Sequence, residues 1–245
     1  MPESSSISRA FLAWWRDSVQ RLGAWRTLAR LGVAAGGLLL DLMPARRRVR
    51  YGDLEFDWNN GVNTTWANPA LGTRVRELFT GRRYMPTDPE LFRESVGALG
   101  IEYSQFTFLD LGSGKGRALL LASEFPFRRI LGVELLPALH HIAQENTRRF
   151  QQGAHQHRIE LRCGDARQFC FPPEPLVVFL FDPFPAHILE QVVLRLEQSW
   201  RERPRKLLIV YQNPISEQVL SNTLWLRRRS GDVRVVIYEA GLSDY

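Results

Sequence analysis

The residues best suited to chemistry lie in one decapeptide and at three positions after it. Phe108-Leu109-Asp110-Leu111-Gly112-Ser113-Gly114-Lys115-Gly116-Arg117 reads as an apolar strand, a tight glycine loop and the first turn of a helix over 117–124. Glycines in such a loop let the backbone take positive φ and let a ligand approach the main chain. Two common phosphate-binding patterns fail on spacing. A G-x-G-x-x-G fingerprint begun at Gly112 needs glycine where Arg117 stands, and a G-x-x-x-x-G-K-[ST] loop needs a hydroxyl residue where Gly116 stands. What fits is D-x-G-x-G-x-G from Asp110 to Gly116. Three acids follow. Ile130-Leu131-Gly132-Val133-Glu134 ends in Glu134, Cys163-Gly164-Asp165-Ala166 supplies Asp165, and Leu180-Phe181-Asp182-Pro183-Phe184-Pro185 supplies Asp182. A carboxylate can accept two hydroxyl hydrogens at once, take a proton, or hold a cationic amine.

These residues need a frame that brings them together. Short apolar runs at 106–111, 129–134, 158–163, 176–181 and 205–211 read as strands, and helical segments separate most of them, which implies parallel pairing with helices on both faces. Singly, each acid has an ordinary reading: Glu134 as a strand-end residue, Asp165 as a turn residue, Asp182 as the cap of a helix beginning near Ala186. Together they fall at successive strand ends on one sheet edge, where ligands of parallel sheets bind. Tyr211-Gln212-Asn213-Pro214 ends the fifth strand on the same edge. The runs Leu224 to Arg229 and Val233 to Tyr238, joined by Ser230-Gly231-Asp232, read as a closing hairpin.

The glycine loop and the ordered acids resemble class I S-adenosylmethionine-dependent methyltransferases over about residues 84 to 245. The resemblance implies an α/β, Rossmann-like fold: a seven-stranded, mostly parallel sheet with an antiparallel last strand and helices on both faces. It implies S-adenosyl-L-methionine as cofactor, with the loop glycines beside its methionine part, Glu134 on the ribose hydroxyls and Asp165 near the adenine. The cofactor site it implies comprises Tyr84, Thr87, Asp110, Gly112, Ser113, Gly114, Gly116, Arg117, Glu134, Leu135, Asp165, Ala166 and Asp182, and the catalytic site Asp182, Phe184 and Tyr211. Tyr84-Met85-Pro86-Thr87 is similar to the lid segment of such enzymes.

The Asp182-Pro183-Phe184-Pro185 element is similar to the [Asp/Asn]-Pro-Pro-[Tyr/Phe] motif of enzymes that methylate nitrogen, but Phe184 replaces the second proline and Pro185 the aromatic. That departure lowers the case for amino groups of nucleic-acid bases. The loop and the short D-P-F element loosely resemble bacterial methyltransferases related to Dot1-type protein lysine methyltransferases. The implied acceptor is nitrogen of a protein side chain or of a small amine. RNA or a small molecule as acceptor, and a cofactor-binding interaction module without transfer, stand as alternatives.

The rest of the chain supplies positioning and context. Residues 51–100 are turn-rich, with breakers at Asn59-Asn60-Gly61 and Asn68-Pro69, before a helix from about Pro89 to Leu99 capped by Thr87 or Asp88. They are expected to shape the acceptor site, between a helical extension over 1–50 and the cofactor-binding domain over 101–245. In the extension, Phe11, Trp15, Val19, Leu22, Trp25 and Leu28 recur at helical steps. That amphipathic stripe would be covered by the chain itself, by a second copy or by a membrane surface. The 245 residues carry 32 basic and 26 acidic side chains, a net charge of +6, and 30 of the 32 basic residues are arginine. The excess is scattered over separate segments with no nucleic-acid motif beside it, so nucleic acid is not the favoured partner. Two cysteines cannot form a disulfide framework, and no secretory signal is evident, so a cytoplasmic location is expected. His155, His157, Cys163 and Cys170 match no paired-ligand spacing, so no metal is expected.

Overall fold

A computed structural model of the chain describes residues 23–25, 54–65, 86–150 and 154–241. The amphipathic segment at 11–28 lies outside the described residues save Gly23 to Trp25, and Tyr84 lies outside them altogether. The chain divides into two compact units: residues 1–55 with 65–86, and residues 56–64 with 87–245. Few residues of the first unit are described, whereas the second holds the sheet and the candidate site.

The elements in chain order are α1 (Leu54–Asn60), α2 (Pro89–Gly97), β1 (Thr107–Leu111), α3 (Arg117–Ala122), β2 (Arg129–Glu134), α4 (Pro137–Arg149), β3 (Ile159–Cys163), β4 (Leu176–Phe181), α5 (Ala186–Glu202), β5 (Leu207–Gln212), α6 (Gln218–Ser221), β6 (Leu226–Gly231) and β7 (Val235–Ala240). One seven-stranded sheet has the order β3-β2-β1-β4-β5-β7-β6. Strands β1 to β5 pair in parallel, and β7 runs antiparallel to both β5 and β6. The expected Rossmann-like architecture is therefore observed.

Alternation along the strands divides the interior into two layers. Leu109, Leu131, Val178 and Ile209 face α5 through Leu189, Val192, Val193 and Leu196. Their neighbours Phe108, Ile130, Val177 and Leu208 face α2 and α3 through Phe92, Val96, Leu119 and Leu120. A strand covered on both sides is largely apolar, which is why β4 reads as a continuous run, β5 does up to Gln212, and β1 does apart from Thr107 and Asp110. Phe92 stands edge-on to Phe108 and Phe179, with ring centroids 5.8 and 5.2 Å away. Such pairs add about 0.5–1.5 kcal/mol each beyond the area they bury, and they seat α2 against the sheet.

Local differences from the sequence reading have physical causes. Asp88 caps α2 by accepting the Leu91 N–H at 2.9 Å, so of the two proposed caps it is the aspartate that serves. Within the supposedly turn-rich 51–100 lies α1, and Asn59-Asn60-Gly61 is its terminus. Gly61 has φ of 64°, and the N–H groups of Gly61 and Val62 donate to the carbonyls of Trp58 and Asp57, a bond pair that closes helices on a left-handed glycine. The hairpin turn sits two residues later than expected. The Asp232 carboxylate accepts from the N–H groups of Arg234 and Val235, which moves the turn onto 232–234.

Parallel order reverses at β1, whose neighbours are β2 and β4. The crevice at the carboxyl ends of those strands is where a ligand of such a sheet sits.

Candidate functional site

The glycine loop leaves β1 into this crevice. Gly112, Gly114 and Gly116 have φ of 82°, 54° and 87°, the left-handed region that makes glycine necessary. The N–H groups of Gly112 and Ser113 both donate to the Val133 carbonyl, and the Gly116 N–H closes the turn on Ser113. A Cβ on Gly112 would lie 2.6 Å from Pro183 Cβ, so the loop after β4 packs directly on the loop after β1. Gly116 caps α3, and Arg117 opens it.

Glu134 ends β2 with its carboxylate turned back onto the loop. Oε2 accepts the Gly114 N–H at 2.9 Å and Oε1 accepts the Leu136 N–H at 2.8 Å. An ionised carboxylate has about four acceptor positions, so about two remain for a ligand's donors. Leu135, next to it, is half exposed. Asp110, on β1, is buried, and burial followed by the nearby Glu134 charge pushes its carboxyl up to about 8.

Asp165 follows β3 and caps the short turn Ala166–Gln168. It accepts the Arg167 N–H at 2.9 Å and forms a two-point pair with the Arg167 guanidinium, whose hydrogen bonding holds the carboxyl below the usual carboxylate range. Ala166 is buried beside it.

Asp182 takes φ of 39° just after β4, and Asn213 takes φ of 50° just after β5. Non-glycine residues in this region cost of order 1–3 kcal/mol each and cluster at functional sites. Asp182 is not a helix cap, because α5 begins after Pro185 with no side-chain cap. The Tyr211 hydroxyl donates to Asp182 Oδ1 at 3.4 Å and accepts the Ser216 N–H at 3.3 Å. Tyr211 is wholly buried, so its hydroxyl acts on Asp182 from beneath and presents no face to the crevice. Phe184 is half-buried against the α5 layer.

The sequence reading did not reach a buried polar network that joins residues 56–64 to the loop. Arg117 donates from Nε to Thr64 Oγ1 at 2.6 Å, from Nη2 to Asp57 Oδ1 at 3.2 Å and from Nη1 to the Thr87 carbonyl at 3.4 Å. Its guanidinium also lies 4.8 Å over the Phe56 ring. Asp57 accepts in turn from the Thr64 N–H at 2.8 Å and from the Thr64 hydroxyl. Lys115 Nζ donates to Asn63 Oδ1 at 3.1 Å, and burial pulls its pKa down to about 8. Asn146, on α4, donates to the carbonyls of Lys115 and Asn63 and accepts the Asn63 N–H. Thus the Arg117 side chain and the Thr87 carbonyl meet each other. The missed signal is long-range: Asp57 and Arg117 are 60 positions apart.

Cys163 and Cys170 are free and line one cleft of about 540 Å³ with Leu131, Val133, Phe169 and Asp165. No cluster of three metal-ligating side chains occurs among the described residues. Arg227 and Arg228 lie on edge strand β6 and pair with Glu239 and Glu217. Among the described residues no helix is long and apolar enough to cross a membrane.

No family model and no curated protein matches the sequence. Solved structures show a distant likeness. An RNA methyltransferase from Salinibacter ruber, in complex with S-adenosyl-L-homocysteine, is 17% identical over 66% of this chain and 95% of its own, with a TM-score of 0.45. A ribosomal protein L11 methylase from Lactobacillus delbrueckii subsp. bulgaricus is 16% identical over 66% and 90%, with a TM-score of 0.44. A precorrin-6y C5,15-methyltransferase from Geobacter metallireducens is 15% identical over 66% and 93%, with a TM-score of 0.46. At these identities and scores the likeness bears on neither substrate nor mechanism.

Proposed function

We propose that this chain is a class I S-adenosylmethionine-dependent methyltransferase that methylates nitrogen of a protein side chain, lysine-like, or of a small amine. The observation that carries the reading is the Glu134 carboxylate bound to the Gly114 N–H at the sheet's reversal point, with acceptor capacity left over.

The residues fit the cofactor. Glu134 has acceptor positions left for two vicinal ribose hydroxyls. Leu135 offers apolar surface that a flat base would cover, and Asp165 with Ala166 borders the same end. Gly112, Ser113, Gly114 and Gly116 present main chain where the methionine portion would lie, above Asp110. Thr87 and Arg117 support the loop from behind through their mutual hydrogen bond, and Tyr84 is assigned to the lid on its sequence position. When bound, S-adenosylmethionine supplies an electrophilic methyl on a sulfonium.

The chain's own residues supply position and proton handling. Transfer needs a nitrogen lone pair aimed in line at the methyl carbon, so orientation contributes most. Asp182, held in a left-handed conformation and fixed at Oδ1 by Tyr211, faces the acceptor with its carboxylate. It orients an ammonium group and accepts its proton, directly or through water, before the lone pair is free. Phe184 forms the apolar wall beside it.

Incubation with methyl-labelled S-adenosylmethionine and lysate fractions tests the acceptor. Label in protein, recovered after hydrolysis as N-methyl-lysine, or in a small amine, supports the reading. Label in RNA replaces the acceptor class, and no label in any fraction by protein that binds the cofactor leaves an interaction module.

A further inference from the structure

We propose that Asp57 and Asn63 are positioning residues for the cofactor: segment 56–64 clasps the glycine loop and holds it in its ligand-ready shape. This rests on the cofactor reading above and names the part of the chain that regulates the loop.

The contacts of the segment converge on the loop and its supports. Arg117 and Lys115 flank Gly116, and both reach into 56–64. Asn146 meets Asn63 as one strand meets another, accepting its N–H and donating to its carbonyl, and spends its second amide hydrogen on the Lys115 carbonyl. The loop is thereby held on two sides. Glu134 fixes the Gly114 N–H from β2, and Asn146 fixes the Lys115 carbonyl from α4. Three glycines with positive φ leave such a loop many alternatives, so an external restraint selects among them.

The chemistry of the network argues against simple packing. Asp57, Thr64, Lys115, Arg117 and Asn146 are each 8% exposed or less. Burying an ion pair is often no more stabilising than apolar side chains of similar volume. A fold that needed only cohesion here would be served by leucine and methionine. A guanidinium held at its three nitrogens by three separate acceptors, by contrast, fixes direction as well as distance. Its partners, Thr64, Asp57 and the Thr87 carbonyl, set the angle at which α3 begins and so the path of the loop before it. Loss of the clasp lowers the fraction of loops in the competent shape, and apparent affinity falls by that fraction.

The test is isothermal titration of the full chain with S-adenosylhomocysteine, alongside thermal unfolding. Asp57→Asn is expected to weaken binding about tenfold or more, as for a competent fraction reduced to about a tenth. The double variant Asp57→Leu with Arg117→Met is expected to regain the wild-type unfolding midpoint without regaining affinity. Should Asp57→Asn not fold, Asn63→Ala, which keeps the main-chain exchange with Asn146, is expected to weaken binding in the same direction with a nearly unchanged midpoint. Wild-type affinity in a folded Asp57→Asn or Asn63→Ala, or affinity that returns together with the midpoint in the double variant, overturns the clasp and leaves the cofactor reading standing. Absence of binding by the wild type overturns the cofactor reading itself.

Discussion

The main-chain N–H of Gly114 donates to Glu134 Oε2 at 2.9 Å, across 20 positions of sequence and between the ends of adjacent parallel strands. One carboxylate thus shapes the loop and, in the function proposed here, receives the ribose. Glu134→Gln keeps the size, removes the charge and, with an amide nitrogen in place of one oxygen, keeps only one of the two main-chain bonds. A hydrogen bond to a charged group is worth about 1.5–3 kcal/mol, so affinity for S-adenosylhomocysteine should fall roughly ten- to a hundredfold, while 2′,3′-dideoxy analogues should lose much less. Calorimetry with the two ligands reads the difference directly.

Asp110 makes stability depend on pH in a calculable direction. Its carboxyl titrates near 8 when folded and near 3.9 when unfolded. Between those values the native chain keeps a proton that the unfolded chain has released. Stability therefore falls as pH rises from about 4 to about 8, by at most about 1.4 kcal/mol per unit, and levels off above. Asp110→Asn removes this slope. Denaturant unfolding of both proteins without ligand, from pH 5 to 9, should show their difference shrinking across that window for this reason alone.

Gly112→Ala combines a φ of 82° with a contact of 2.6 Å to Pro183. The φ strain alone costs of order 1–3 kcal/mol, and the collision pushes apart the two loops that frame the crevice. Gly164→Ala, with nothing within 4 Å of its added Cβ, should stay within about 0.5 kcal/mol of wild type. Thermal unfolding of the pair separates conformational demand from the mere loss of a glycine.

Tyr211→Phe removes the donor to Asp182 and leaves the loop after β1 untouched. A net hydrogen bond of about 0.5–1.5 kcal/mol predicts a kcat lower by roughly two- to twelvefold, with cofactor affinity unchanged. A loss of affinity instead would place Tyr211 on the cofactor side.

Much of the frame was legible because it is written locally. Largely apolar runs marked β1, β2, β4 and β5, since strands covered on both faces have no polar side to show. The spacing from Asp110 to Gly116 required a loop with repeated positive φ, and all three glycines have it. What escaped was set by partners far away in sequence. Nothing near Asp57 marks it as the mate of Arg117, and α1 was hidden by Asn59-Asn60-Gly61, residues that end a helix as readily as they make a turn. Tyr211 could be placed at the strand end, but only the alternation of β5 decides that its ring turns into the core, with its hydroxyl under Asp182.

The central claim is that the edge built by Gly112, Gly114 and Glu134 is a site for S-adenosylmethionine. Isothermal titration of the wild-type chain with S-adenosylhomocysteine tests it most directly. One-to-one binding that Glu134→Gln weakens and Tyr211→Phe leaves intact is the predicted result. No heat of binding from well-folded protein, or binding indifferent to Glu134, would contradict the account.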